Sequence, residues 1–170
     1  MSASDIEAGT VTPRASGPDA VTPATLTSSG LFSGLDADLL GGLARRLSVV
    51  SFASGDLIFS PGDPGRELYL IVEGQVTLRA GERDVAHLEA GDWFGDVAPL
   101  DLQPRPVAAV GAAPGVLARC SLRDLDWLYR TSPRGYALVV LNVAREHARR
   151  LRKAWSSRTS ADPPVESEPG

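Results

Sequence analysis

Apolar residues in the middle of the chain come in short runs: Leu47 to Phe52, Leu57 to Phe59, Leu68 to Val72, Gln75 to Leu78, Val85 to Leu88, Val107 to Val110 and Val116 to Cys120. Each is bounded by a turn signal such as SGD, SPGDPG, EG, AGE, EAGD or AAPG. Such spacing predicts seven short strands in an antiparallel sandwich or roll. On either side the period becomes helical. Leu39, Leu40, Leu43 and Leu47 follow Asp36 as a candidate N-cap, predicting a helix that Gly41 and Gly42 keep short. Ser121-Leu122-Arg123-Asp124 resembles a capping box and opens a helix carrying Leu125 and Leu128, and Ser132-Pro133 opens a longer one reaching about Trp155. The expected fold class is α+β, mostly β: an antiparallel, jelly-roll-like β-roll with a short N-terminal helix and two C-terminal helices.

The ends have a different texture. Residues 1–29 are dominated by Ser, Thr, Pro, Ala, Gly and Asp, with isolated apolar residues in neither period, and 156–170 combine a proline pair with acids and serines. Neither stretch offers enough apolar surface to offset its ordering entropy, so both are expected to be disordered arms around a folded domain at 30–155. A chain of 170 residues with a net charge of -4 has room for one such domain and no overall attraction to phosphate backbones. A single cysteine, Cys120, excludes an intrachain disulfide and a multi-cysteine metal site. The N-terminus lacks a basic n-region and an apolar h-region, and no run reaches the length of a membrane span. These features fit a soluble, cytoplasmic protein.

Catalytic chemistry finds little support. The chain has no GxSxG elbow and no GxxxxGK[ST] loop, and its two histidines, His87 and His147, have no acid, Cys or second His at ligand spacing. Both read as structural, as does Cys120. The segment SPGDPGREL lacks the histidines that a metal-dependent cupin would need there. No metal and no enzymatic activity are expected.

One pattern does point to function. Leu31-Phe32-Ser33-Gly34-Leu35, Gly55-Asp56-Leu57-Ile58-Phe59, Gly62-Asp63, Leu68-Tyr69-Leu70-Ile71 with Gly74, and Ala90-Gly91-Asp92 follow one another at spacings that resemble the cyclic nucleotide-binding domain of the catabolite activator and protein kinase regulatory subunit type. The resemblance covers nearly the whole folded part. It implies a phosphate-binding cassette from Phe94-Gly95-Asp96-Val97-Ala98 to Pro104-Arg105-Pro106-Val107, in which backbone amides and an arginine hold a cyclic phosphate. Helix N-termini offer orphan N–H donors, and guanidinium matches phosphate oxygens in shape and charge. The implied ligand is cAMP or cGMP, and the ligand-binding candidates are Gly95, Asp96, Val97, Ala98, Arg105, Pro106 and Val107.

Two positions depart from the family's pattern. Asp96 stands where a glutamate usually accepts from the ribose hydroxyl, one methylene short. Pro106 follows the arginine where Ser, Thr or Ala is usual, and it has neither N–H nor hydroxyl. A lost hydrogen bond to a charged group removes about 1.5–3 kcal/mol, so the cassette reads as degenerate.

The last predicted helix carries Arg145, Arg149 and Arg152 at i, i+4 and i+7, with Arg150 and Lys153 alongside. The stripe reads as a solvated face or as a surface for nucleic acid or anionic lipid. Opposite it, Val140, Ala144, His147, Leu151 and Ala154 form a seam of two heptads, either a dimer interface or a face packed on the roll. Trp155 is a candidate purine lid or a partly exposed anchor. DNA-binding relatives append a helix-turn-helix after this helix, where this sequence has only the polar stretch 156–170, so sequence-specific nucleic-acid binding is not expected. The resulting expectation is a regulatory or sensor module that binds cAMP or cGMP and relays its state through residues 133–155 to a protein partner or a homodimer. The alternative is a ligand-free scaffold of the same fold.

Overall fold

The computed structural model describes residues 21–95 and 103–159. The elements are α1 (Pro23–Ser28), a 3-10 turn (Gly30–Phe32), α2 (Ala37–Ala44), β1 (Ser48–Phe52), β2 (Leu57–Phe59), β3 (Glu67–Ala80), β4 (Arg83–Glu89), β5 (Trp93–Phe94), β6 (Ala108–Ser121), α3 (Leu122–Thr131) and α4 (Pro133–Thr159). The antiparallel sheet runs β1-β6-β3-β4, with β2 on β6 and β5 on β3. This is the predicted β-roll, flanked by helices.

The seven predicted strands become five, because two pairs of runs fuse, and an unpredicted β5 makes six. Leu68–Val72 and Gln75–Leu78 are one strand, β3, while Val107–Val110 and Val116–Cys120 merge into β6 from Ala108 onward; each is fourteen residues long. The EG and APG signals between the runs are opposed bulges, where the β3–β6 register shifts. Gly74 sits at φ +88°, and a Cβ there would lie 2.5 Å from the Pro114 carbonyl oxygen; a Cβ on Gly115 would strike the Glu73 carbonyl. Only a backbone without side chains passes this crossing. The added residue also changes which side chains face inward. Tyr69 and Ile71 point into the roll before the bulge, and Val76 and Leu78 after it, an odd interval. Strand β5 was not anticipated, since two residues pairing with Tyr69 and Leu70 carry no period.

Three of the remaining glycine signals are true turns with a shared device. Asp56, Asp63 and Asp92 each follow a glycine, and each side chain accepts from the backbone N–H three residues earlier, at Ala53, Ser60 and Glu89, over 2.7, 2.8 and 3.0 Å.

Alternation along β3 builds two cores. Tyr69 and Ile71 join Val50, Phe52, Phe59, Phe94, Ala109 and Leu117 inside the roll. Leu68 and Leu70 face the helices with Trp93, Ala118 and Cys120. Cys120 is buried, and burial pushes its thiol far above the usual range, in keeping with a packing role. Helix α4 is tied to this layer by Val139 and Val143 and by Asn142, whose Nδ2 donates to the Leu31 and Ser33 carbonyls at 3.1 and 2.9 Å.

Two boundaries move. Residues 21–29 are not part of a disordered arm: Thr22 caps α1, its Oγ1 accepting from Thr25 N–H at 3.2 Å, and Val21 and Leu26 are buried in the helix-side core. A six-residue helix is too short to display a period, which is why its two apolar contacts read as isolated. At the other end, α4 continues through Ser156–Thr159 before any proline intervenes. Residues 1–20 and 160–170 of the expected arms lie outside the described residues. On α4, Ala144, Leu151 and Ala154 of the expected seam are exposed and Val140 and His147 are half-buried, while Gly135, Val139, Asn142 and Val143 make the buried side; most of the seam is thus open rather than packed on the roll.

Leu26 tests the first boundary. Leu26→Ala is expected to lower the unfolding free energy by about 2–5 kcal/mol, read from urea denaturation. An unchanged midpoint would place α1 off the core.

Candidate ligand-binding site

Arg105 is the only arginine buried to 3% exposure among the described residues, and every element around it helps to hold it there. Its backbone is fixed first. The Arg105 N–H donates to the Asp63 carbonyl at 2.9 Å, its own carbonyl accepts from Gly62 N–H at 2.8 Å, and Pro64 bridges to Pro104. The SPGDPG turn therefore pins the segment that carries the arginine against the mouth of the roll.

The guanidinium is then clamped from two strands. Nη1 donates to the Gly95 carbonyl and Nη2 to the Glu67 carbonyl, both at 2.6 Å. Its plane lies over Phe59, 4.2 Å from the ring centroid, with Tyr69 at 5.8 Å. Phe59, Tyr69 and Phe94 form one aromatic floor, with centroids 5.3–6.0 Å apart. Burial and the nearby Glu67 push the Tyr69 phenol above its ordinary value, against an opposing pull from Arg105 and Arg119. Gly95 stands at φ +77°, and a Cβ there would come within 2.6 Å of Arg105 Nη1. The glycine is thus required twice, for its backbone angle and for the approach of the arginine.

Gly95 and Arg105, ten positions apart in sequence, are brought together by the Nη1 hydrogen bond. Pro106 is exposed directly after the arginine and contributes no N–H, and Val107 is half-buried at the approach to β6. Asp96, Val97 and Ala98 lie outside the described residues. The aromatic floor and the Glu67 carbonyl were missed. Phe59, Tyr69 and Phe94 were legible only as strand residues, and a backbone carbonyl has no sequence signal.

Other candidates fall elsewhere. His87 Nδ1 shares a hydrogen bond with Thr77 Oγ1 at 3.2 Å across β3 and β4. A polar cleft of about 240 Å³ beside them, lined by Gln75, Thr77, His87, Glu89 and Asp92, contains none of the predicted site residues. No group of three His, Cys, Asp or Glu side chains is placed to hold a metal ion among the described residues. No helix among them is long and apolar enough to cross a membrane.

Comparison with known proteins agrees with this geometry. The profile of the cyclic nucleotide-binding domain matches residues 49–132. The chain is 36% identical over 138 residues to the cyclic AMP receptor protein of Thermus thermophilus, covering 76% of this chain and 60% of that protein. It is 36% identical over 71 residues to a cAMP-dependent protein kinase regulatory subunit of Hypocrea atroviridis, covering 42% of this chain and 15% of that one. The chain thus spans 60% or less of these two curated relatives. Among solved structures, the Thermus thermophilus catabolite activator protein superposes with a TM-score of 0.67 at 32% identity, covering 78% of this chain and 63% of that one. A cyclic nucleotide-binding domain from Methylobacillus flagellatus gives 0.72 at 19% identity over 88% and 86%, a likeness of fold. The matched segment, residues 49–132, is thus a cyclic nucleotide-binding domain by sequence, and the β-roll with its turn glycines has that domain's fold.

Proposed function

We propose that the chain is a regulatory sensor that binds cAMP or cGMP at the cassette 94–107 and relays its state through α3 and α4 to a protein partner or a second copy, without catalysis and in the cytoplasm. The observation that carries the reading is the buried Arg105 guanidinium, held at the end of β5 by the Gly95 and Glu67 carbonyls. In this reading it supplies the counter-charge for the cyclic phosphate. In the same reading Gly95, Asp96, Val97 and Ala98 would be the residues that meet the phosphate and the ribose from one side, and Pro106 and Val107 those from the other.

A specific observation also favours the ligand-free scaffold. Both terminal nitrogens of Arg105 already have carbonyl acceptors, and Pro106 cannot donate to a phosphate. The two readings differ in what the arginine does when nucleotide is added.

Calorimetry and thermal shift against cAMP and cGMP decide between them. Wild type is expected to bind, and Arg105→Ala to weaken binding by at least about 100-fold, since an anion would enter a site with no counter-charge. Circular dichroism checks that this variant is folded, and Arg105→Lys should retain part of the affinity. Full affinity in Arg105→Ala would remove the arginine from the site.

The degenerate positions give a gain-of-function test. Pro106→Ser restores an N–H and a hydroxyl, and Asp96→Glu restores the reach toward the ribose. Together they are expected to tighten cAMP or cGMP by about 1.5–4 kcal/mol. If neither wild type nor the double variant shows heat of binding, the scaffold reading stands.

A further inference from the structure

Helix α4 has two faces, and its buried contacts among the described residues lie on one of them. Val139, Asn142, Val143 and Arg150 face the roll, the last donating from Nη2 to the Trp93 carbonyl at 3.2 Å. On the opposite face Ala137, Leu141, Ala144, Ala148, Leu151 and Trp155 are all exposed, the three large ones at 48, 50 and 58%. Their steps are four, three, four, three, four. That is an uninterrupted heptad seam, displaced from the one expected at 140, 144, 147, 151 and 154, with Leu141, Ala148 and Trp155 at a positions and Ala137, Ala144 and Leu151 at d.

The residues beside the seam determine what it fits. The e positions are Leu138, Arg145 and Arg152, and the g positions are Val140, His147 and Ala154. Neither Arg145 nor Arg152 meets a carboxylate among the described residues; Arg145 reaches only the Asn142 side-chain oxygen, at 3.4 Å. Seven of the chain's seventeen basic residues lie in α4 against one acid, Glu146, so the helix carries +6 and the rest of the chain -10. Glu146 cannot serve a partner. It is bound by Arg149 and Arg150 at 2.7–2.8 Å, and although burial alone would raise its carboxyl, these two arginines hold it below the ordinary carboxylate range.

Two copies of this helix side by side would bring two +6 charges together with no acid at any e or g position to compensate. Interhelical pairs at those positions select partner and orientation in coiled coils, and here a second copy offers no acid to Arg145 and Arg152, which an acidic partner would pair. A lipid surface is a poorer fit. An interfacial helix needs an apolar face of 100° or more, whereas half of this narrow seam is alanine, which suits close packing against another helix.

We propose that the seam on α4 docks an acidic amphipathic helix of a different protein, with apolar a and d positions and Asp or Glu at e and g. The proposal deepens the relay to a partner given above, but the docking itself does not depend on nucleotide binding.

The test uses the full chain and two designed 28-residue helical peptides with Leu at a and d, one with Glu and one with Lys at every e and g position. The Glu peptide is expected to bind and the Lys peptide not to, and raising salt from about 0.05 to 0.5 M should weaken binding severalfold. Arg145→Glu with Arg152→Glu, both on the exposed face, should lose at least about tenfold for the Glu peptide and gain affinity for the Lys peptide. Leu151→Glu should abolish binding of either, with the melting temperature unchanged. The proposal is overturned if neither peptide binds, or if binding ignores the charge reversal. It is equally overturned if the protein is a dimer by light scattering that Leu151→Glu dissociates, or if it binds phosphatidylserine vesicles and not the Glu peptide. If the Glu peptide binds equally with and without cAMP or cGMP, the docking surface stands and the relay to it fails.

Discussion

The structure around the cassette is organised by one constraint, a permanently charged guanidinium placed in the interior of a small domain. An arginine cannot neutralise itself by losing a proton, so burial must be compensated by geometry. Arg105 is compensated from four directions: the Gly95 carbonyl at the end of β5, the Glu67 carbonyl at the start of β3, and the Phe59 and Tyr69 rings beneath. Each of these contacts fixes something else. The Gly95 carbonyl sets where the chain leaves β5, and the Glu67 carbonyl sets where β3 begins. The SPGDPG turn, tied to the Arg105 backbone through Gly62 and Asp63, sets the approach to β6.

That arrangement is possible because one strand serves two cores. Along β3, Tyr69 and Ile71 look into the roll while Leu68 and Leu70 support the helices, so the aromatic floor under the arginine and the bed under α4 are alternate residues of one segment. The bulge at Gly74 opposite Gly115 then turns the far end of the strand inward again, with Val76 and Leu78 replacing the parity of Tyr69 and Ile71. A straight strand of fourteen residues would expose one of these sets. Bulges change which face a side chain takes, and here that keeps a long bent strand buried on both sides of the crossing.

How much of this was legible in the sequence follows from the kind of interaction involved. Strand runs, helix caps and Gly-Asp turns are local, and Asp36, Asp56, Asp63, Asp92 and Asp124 all do what their neighbours in sequence imply. The EG and APG signals were ambiguous, because a glycine that permits a turn equally permits a close backbone crossing, and only the pairing of β3 with β6 separates the two. Leu26 and the Trp93-Phe94 pairing were illegible for want of length. In the site, Gly95 and Arg105 were found through a resemblance. Their partners, two backbone carbonyls and the faces of three rings, depend on which strand ends come together. Which residues of α4 would be buried was not legible, because the use of Val139, Asn142 and Val143 depends on how the helix docks.

The path from the arginine to the outward face of α4 is short and made of directional contacts. Arg150 is bonded to Glu146 on its own helix and to the Trp93 carbonyl on β5, and Trp93 is two residues from Gly95, whose carbonyl holds Arg105. An anion that drew the guanidinium away from the Gly95 carbonyl would free the end of the two-residue strand that Arg150 grips. Strand β5 pairs with Tyr69 and Leu70 of β3, and its two side chains, Trp93 and Phe94, are buried in the helix-side core and in the roll, so it links the site to both. The same helix presents its seam on the face turned away from Arg150. In the proposed relay, a small displacement at Gly95 therefore acts on the axis of α4, and the partner senses it as a change in how Leu141 and Leu151 are presented; it need not touch the nucleotide.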